Sequence, residues 1–265
     1  SGVDEHYWLH FSFDAVEAQE NKELIFTLKT GRETQWDATN PQGIVYIDGK
    51  AVQALDVNHT WFSLEFGRKY DFYIYFYTGM EGGYFEMIPE LKLRDIPVYD
   101  LYFDMEVPYD ALKELSCDSY DYIKIRDALN QTCFKLDFRH VYSNDFYNSI
   151  KEASKFIREE FYGKTCGNSE AVVSCIGHTH IDVAWLWTVR QTREKAERSF
   201  STVLNLMRKY PEYKFMSSQP QLYQHVKEAN PALYEEIKER VREGRWEVEG
   251  AMWLEADCNL ISGES

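Results

Sequence analysis

From Glu5 to Val107, apolar and polar residues alternate in short runs: HYWLHFSF, ELIFTLKT, GIVYIDGKAVQAL, TWFSLEF, YDFYIYFYTG, EGGYFEMIPELKLRDI and VYDLYFDMEV. A period of two turns one face of each strand to a core and the other to water. The pattern predicts an antiparallel β-sandwich over residues 1–110. Within VYIDGKAVQ, the pair Asp48-Gly49 predicts a tight hairpin, because a type I′ turn needs positive φ at both central positions.

Pro97 and Pro108 close this region, and the period changes after them. The segments YDALKELSCDSYDYIKIRDALNQTCFKLDF and NDFYNSIKEASKFIREEFYGK carry apolar residues three and four apart, among them Phe146, Ile150, Ala153, Phe156 and Ile157. That spacing predicts amphipathic helices, so residues 111–168 read as a helical connector that ends in the linker YGKTCGNSE.

From residue 169 the alternation is between whole elements. AVVSCI reads as a buried strand, Thr192 to Tyr210 as a helix with Phe200, Val203, Leu204 and Met207 on one face, and YKFMSS as a second strand. A helical stretch from Gln221 is interrupted at Asn230-Pro231, where Asn suits an N-cap and Pro the first turn, and Gly244 suits the C-cap. RWEVEGAMW then reads as a third strand. Strand and helix in alternation predict crossover connections on a parallel sheet. Residues 169–265 are expected to begin a parallel α/β domain, β/α barrel-like.

Composition narrows the partners. The 265 residues include 44 acidic and 29 basic side chains, a formal charge of −15 spread along the chain. Nucleic acid and anionic membrane are poor partners for such a surface, whereas a carbohydrate or another neutral small molecule suits it. No apolar run reaches the roughly 20 residues of a membrane helix, and SGVDEHYW has neither region of a signal peptide. Cys117, Cys133, Cys166, Cys175 and Cys258 are odd in number, scattered and free of any CxxC pair, which points to a reducing, cytoplasmic setting.

The candidate chemistry sits at strand ends, where parallel α/β folds gather their active groups. The first strand runs into GHTHIDVAWLW and the third into LEADCN. Residues two apart in an extended segment face the same side, so His178, His180 and Asp182 are candidates for one cavity. Imidazole nitrogen with carboxylate oxygen suits zinc or a similar divalent ion, and His180, Asp182 and Asp257 would supply three ligands. Each of these alone reads as a hydrogen-bonded histidine or a helix-capping aspartate. Three such groups on one sheet edge tip the balance towards a metal site.

Trp185 and Trp187 follow at once, either as core or as a flat face for a sugar ring, and spacing leaves both open. Paired carboxylates at a strand end are what glycoside hydrolysis requires. Glu247 and Glu249 read more simply as a polar strand face, and Glu255 either faces away from Asp257 or supports it.

At this point the residues resemble a family. GHTHIDVAWLW, followed after the helical stretches by GRWEVEGAMWLEADCNLISGES, resembles glycoside hydrolase family 38, the zinc-dependent retaining α-mannosidases, and most of all its cytosolic branch. YIDGKAVQALDVNHTW in the sandwich is similar to the accessory domain of that branch. The resemblance implies that His180 and Asp182, the H-x-D pair, bind one Zn2+ per site. It makes Asp257 both a zinc ligand and the catalytic nucleophile, Trp185 the ring against the bound mannose, and His178 a supporting group. It further implies an α-mannoside oligosaccharide as substrate and hydrolysis by double displacement. The acid/base and the fourth metal ligand are expected beyond Ser265. The chain therefore reads as an N-terminal fragment, inactive alone, whose half-built sheet favours association between copies.

Two rivals stay open. An amidohydrolase-like metal hydrolase would use His178 and His180 as ligands. A non-catalytic carbohydrate-binding module would use sandwich aromatics such as Trp61, Phe62, Tyr73, Tyr75 and Tyr77, which read more simply as core and cross-strand pairs.

Overall fold

Seven strands form where the alternation predicts a sandwich. In a computed structural model describing residues 2–36, 38–80, 82–164, 166, 172–250 and 252–255, these are β1 (His6–Phe13), β2 (Lys22–Lys29), β3 (Gln42–Ile47), β4 (Lys50–Leu55), β5 (Trp61–Leu64), β6 (Tyr70–Tyr77) and β7 (Ile88–Asp95). They make two sheets, β1-β6-β3-β4 and β5-β2-β7, and every pairing of the first is antiparallel. Phe11 and Phe72 of the first sheet meet Phe26 and Phe62 of the second in ring contacts 5.1 to 5.7 Å apart. Each buried phenylalanine contributes about 1.5–3 kcal/mol. The expected hairpin joins β3 to β4, with φ of 52° at Asp48 and 74° at Gly49.

VYDLYFDMEV is not a strand. It lies in helix α1 (Ile96–Glu114), so the helical region begins ahead of residue 111. Local capping overrides the alternation here: the Asp95 carboxylate accepts the Val98 N–H at 3.2 Å, and Pro97 stands in the first turn. Helices α2 (Tyr120–Cys133) and α3 (Asn144–Phe156) follow, and α3 runs on into a π-helical turn, Ile157–Tyr162. Of the predicted stripe, Phe146, Ile150, Ala153 and Ile157 are buried together with Leu101, Leu129 and Phe161, whereas Phe156 lies outside this core and is half-buried.

After residue 172 come β8 (Gly177–His178), α4 (Val189–Lys209), β9 (Phe215–Met216), α5 (Pro220–Ala229), α6 (Pro231–Arg242) and β10 (Trp246–Glu247). The three strands are parallel in the order β10-β9-β8, as the alternation of elements predicts, but each is only two residues long. AVVSCI is not a buried strand over its described residues: Val172, Val173 and Ile176 are 91%, 82% and 58% exposed. Among the described residues β8 pairs with β9 alone, so the run has no second strand to cover it. Asn230 accepts the Leu233 N–H and Gly244 takes φ of 68°, as their signals predict. Helix α4 starts ahead of Thr192 because Thr188 caps it, accepting the Gln191 N–H.

The chain divides into two compact units, one of Ser1–Glu17, Ile25–Lys92 and Ser174–Ser265, the other of Ala18–Leu24 and Leu93–Val173. In the larger unit α4 is bonded to the first sheet. The Ala54 N–H donates to Thr202 Oγ1 at 2.8 Å, Asn205 Nδ2 to Gln53 Oε1 at 2.9 Å, and Tyr46 OH to Glu197 Oε1 at 3.1 Å. The other face of α4 carries Ala196, Phe200, Val203, Leu204 and Met207 into a core with Phe215, Leu222, Leu233 and Trp246.

Candidate functional site

The segment that leaves β8 is fixed at several points. His178 Nδ1 lies 3.0 Å from the Met216 carbonyl, its register partner on β9. Ile181 is buried in the core, and its carbonyl accepts Gln219 Nε2 at 3.1 Å. Thr192 Oγ1 donates to the Asp182 carbonyl at 3.3 Å and accepts Trp187 Nε1 at 3.1 Å. Anchoring Ile181 inward leaves His180 and Asp182, its neighbours on either side, partly exposed on the opposite face.

His180 Nε2 stands 3.0 Å from Asp182 Oδ1, and Nδ1 of the same ring stands 3.2 Å from Glu255 Oε2. The hydrogen bond of the ring is the one between Nε2 and Asp182, and the Glu255 carboxylate lies within ion-pair distance of the other nitrogen. One imidazole nitrogen and one carboxylate oxygen side by side fit a shared divalent cation. Glu255 meets the ring at Nδ1, the nitrogen that does not face Asp182. Among the described residues no three His, Cys, Asp or Glu side chains converge on one point. The further ligand expected from the sequence, Asp257, lies outside the described residues.

Trp185 is 53% exposed and stands beside this pair. Its ring meets Trp187 edge-on at 5.6 Å and Trp36, from the loop before β3, edge-on at 5.3 Å. His178, His180, Asp182 and Trp185 share a cavity of about 590 Å3 that Trp36, Asp56 and His59 wall from the sandwich side. Sequence reasoning missed Trp36, whose only signal was an exposed-type tryptophan in a polar loop. Glu247 and Glu249 are exposed along and after β10, consistent with a polar face.

The cavity also holds titratable groups that no motif flagged. Burial pulls the Lys195 ammonium down to about 7, and the neighbouring Arg198 adds to the effect. Its Nζ donates to Gln42 Oε1 at 2.8 Å and lies 4.2 Å from the Trp187 ring centroid. Burial works to raise Asp56, but hydrogen bonds and charge from His59, with help from Arg198, prevail and hold the carboxyl at about 2.

The sandwich aromatics do not make a common platform, because Phe62 and Tyr77 are buried at 2% and 4% exposure.

Residues 170–265 match the family described as glycosyl hydrolases family 38 N-terminal domain. Alpha-mannosidase G of Dictyostelium discoideum is 32% identical over 289 residues, which covers 98% of this chain and 25% of that protein. Alpha-mannosidase of Saccharomyces cerevisiae is 31% identical over 183 residues, 64% of this chain and 16% of that protein. Alpha-mannosidase 2C1 of Homo sapiens is 40% identical over 109 residues, 41% of this chain and 10% of that protein. The chain thus spans a quarter or less of the length of these relatives.

Proposed function

The chain belongs to glycosyl hydrolase family 38 through residues 170–265, and on that footing we propose that it forms the N-terminal part of a retaining, zinc-dependent α-mannosidase acting on oligosaccharides. The observation that carries this reading is the pairing of His180 Nε2 and Asp182 Oδ1, 3.0 Å apart, in one cavity with Trp185. The β-α repeat from β8 to β10 is, in this reading, the start of a barrel-like catalytic domain, and the sandwich an accessory domain joined to it. The scattered cysteines suit a cytoplasmic setting, and no described helix is long and apolar enough to cross a membrane.

His180, Asp182 and Asp257 would hold the zinc, which supplies Lewis-acid grip on sugar hydroxyls when bound. Trp185 offers an exposed indole against which the mannose ring lies. Asp257 attacks the anomeric carbon, the glycosidic bond breaks, and water hydrolyses the resulting ester with retained configuration. Glu255, within ion-pair distance of Nδ1, would help to hold the His180 ring in place. The acid/base and a fourth ligand are assigned to sequence that the longer relatives possess outside the stretch compared here, so the chain alone turns over no mannoside. The amidohydrolase reading needs His178 and His180 on one metal; the Nδ1 contact with the Met216 carbonyl leaves His178 Nε2 available, so His178→Ala in a metal-content test separates the two readings.

The test is metal content by plasma mass spectrometry, paired with an α-mannoside hydrolysis assay, on this chain and on a version extended to the length of its relatives. About one zinc per extended chain with turnover, both lost on His180→Ala or Asp257→Ala, is expected. Zinc retained by those variants but lost on His178→Ala, or no mannoside cleavage by the extended protein, overturns the reading.

A further inference from the structure

Arg198 lies one turn after Lys195 on α4, and both line the cavity that holds His180 and Asp182. Residues three apart on a helix share a face. Arg198 is only 9% exposed, yet a guanidinium carries five N–H donors and no acceptor. Its carbonyl is used by the Ser201 and Thr202 hydroxyls. Its side-chain nitrogens, by contrast, make no hydrogen bond or ion pair among the described residues, and none of them is sealed off from open space. The donors therefore reach the cavity unspent.

The two carboxylates near enough to act on the Arg198 charge are engaged elsewhere. Asp56 Oδ1 accepts the Asn58 and His59 N–H groups and meets His59 Nδ1, each at 2.9 Å. Glu194 Oε1 accepts Tyr75 OH at 3.4 Å and stands 3.8 Å from Arg190 Nε. A charge removed from water without hydrogen bonds is a costly state, and a ligand that supplied acceptors would relieve it. Lys195 adds a second cation with donors to spare, since its Nζ hydrogen-bonds Gln42 Oε1 alone among the described residues. Arg198 repels this ammonium and helps burial to hold it low. A neutral ligand would leave that repulsion in place, whereas an anion between the two groups cancels it. The planar guanidinium fork suits two oxygens of one such anion.

We propose that Arg198 and Lys195 form an anion site in the wall of this cavity, taking a small oxyanion of the carboxylate, sulfate or phosphate type. The site uses residues other than the His180–Asp182 pair. It requires neither zinc nor a sugar, so it stands or falls independently of the hydrolase reading.

Calorimetric titration of the chain with sulfate and with acetate, at constant ionic strength in chloride, tests it. Saturable binding of at least one anion is expected, weakened roughly tenfold or more by Arg198→Gln. Lys195 is charged at about pH 6 and largely neutral at about pH 8, so sulfate binding should take up a proton at the higher pH and none at the lower. Repeating the titration in buffers of different ionisation heat reads this uptake. Lys195→Met should abolish it, which assigns the proton to this lysine and not to Asp56, His59, His178, His180 or Asp182 around the same cavity. Binding of one anion and not the other supports the site and fixes its class as planar or tetrahedral. No saturable binding of either overturns the proposal and makes water the partner of Arg198. Binding that both variants leave unweakened marks an adventitious ion only and overturns it equally.

Discussion

The backbone N–H of Ala54, on edge strand β4, is satisfied by the hydroxyl of Thr202 on α4 at 2.8 Å, although 148 residues separate them. The bond is buried and closes an edge that would otherwise offer an unpaired donor. Thr202→Val keeps the shape and removes the acceptor. The expected loss is about 1–3 kcal/mol of unfolding free energy, read from urea denaturation. A midpoint unchanged from the parent chain would show that the amide finds water instead.

Among the described residues, the contact of Glu255 with the proposed metal site is with His180 Nδ1. Glu255→Ala should therefore weaken zinc affinity by roughly 10- to 100-fold, measured by chelator competition, without abolishing binding as His180→Ala would. Equal affinities for the variant and the parent would count against the Nδ1 contact at 3.2 Å as an orienting bond.

Lys195 gives a pH dependence with a definite sign. Its folded value, about 7, lies below the roughly 10.4 of an unfolded lysine. Between those values the unfolded chain holds more protons, so this residue makes stability rise with pH. Below about 7 both states are charged and the full cost of burying the ammonium is felt. Urea midpoints should climb from about pH 7 to about pH 9, and Lys195→Met should flatten the climb. A slope that survives in the variant assigns it to another group.

Asn230 caps α6 through Oδ1, which accepts the Leu233 N–H at 3.1 Å, and its Nδ2 donates to Glu197 Oε1 on α4 at 2.9 Å. Asn230→Ala should cost about 1 kcal/mol for the cap and loosen the α4–α6 contact as well. Asn230→Asp, which keeps the accepting oxygen but places a second carboxylate beside Glu197, separates the two contributions in the same denaturation assay.

Much of this architecture is legible in short-range patterns. Asp48-Gly49 announces its hairpin because few other pairs tolerate positive φ twice, and Asn230-Pro231 announces a helix start for an equally local reason. Periodicity fails where a stronger local signal or a missing neighbour decides. VYDLYFDMEV alternates, yet the cap from Asp95 with Pro97 winds it into α1. AVVSCI is apolar, yet its described residues lie open because burial depends on a covering element and not on composition. At the site, HTHID marks itself by spacing, and the pairing of His180 with Asp182 follows from Ile181 turning inward. Trp36, Asp56 and His59 could not be read in advance, since what brings them to the cavity is the docking of the sandwich on α4, a contact between residues some 150 apart in sequence.

The larger unit is assembled from stretches on both sides of residues 93–173, which belong to the smaller one. A protease that nicks the polypeptide between α2 and α3 would therefore sever the covalent path between the sandwich and α4 while leaving the Ala54–Thr202, Gln53–Asn205 and Tyr46–Glu197 contacts in place. The two pieces would co-migrate until denaturant separates them, and, expressed from separate genes, they would be a natural pair for split-protein complementation.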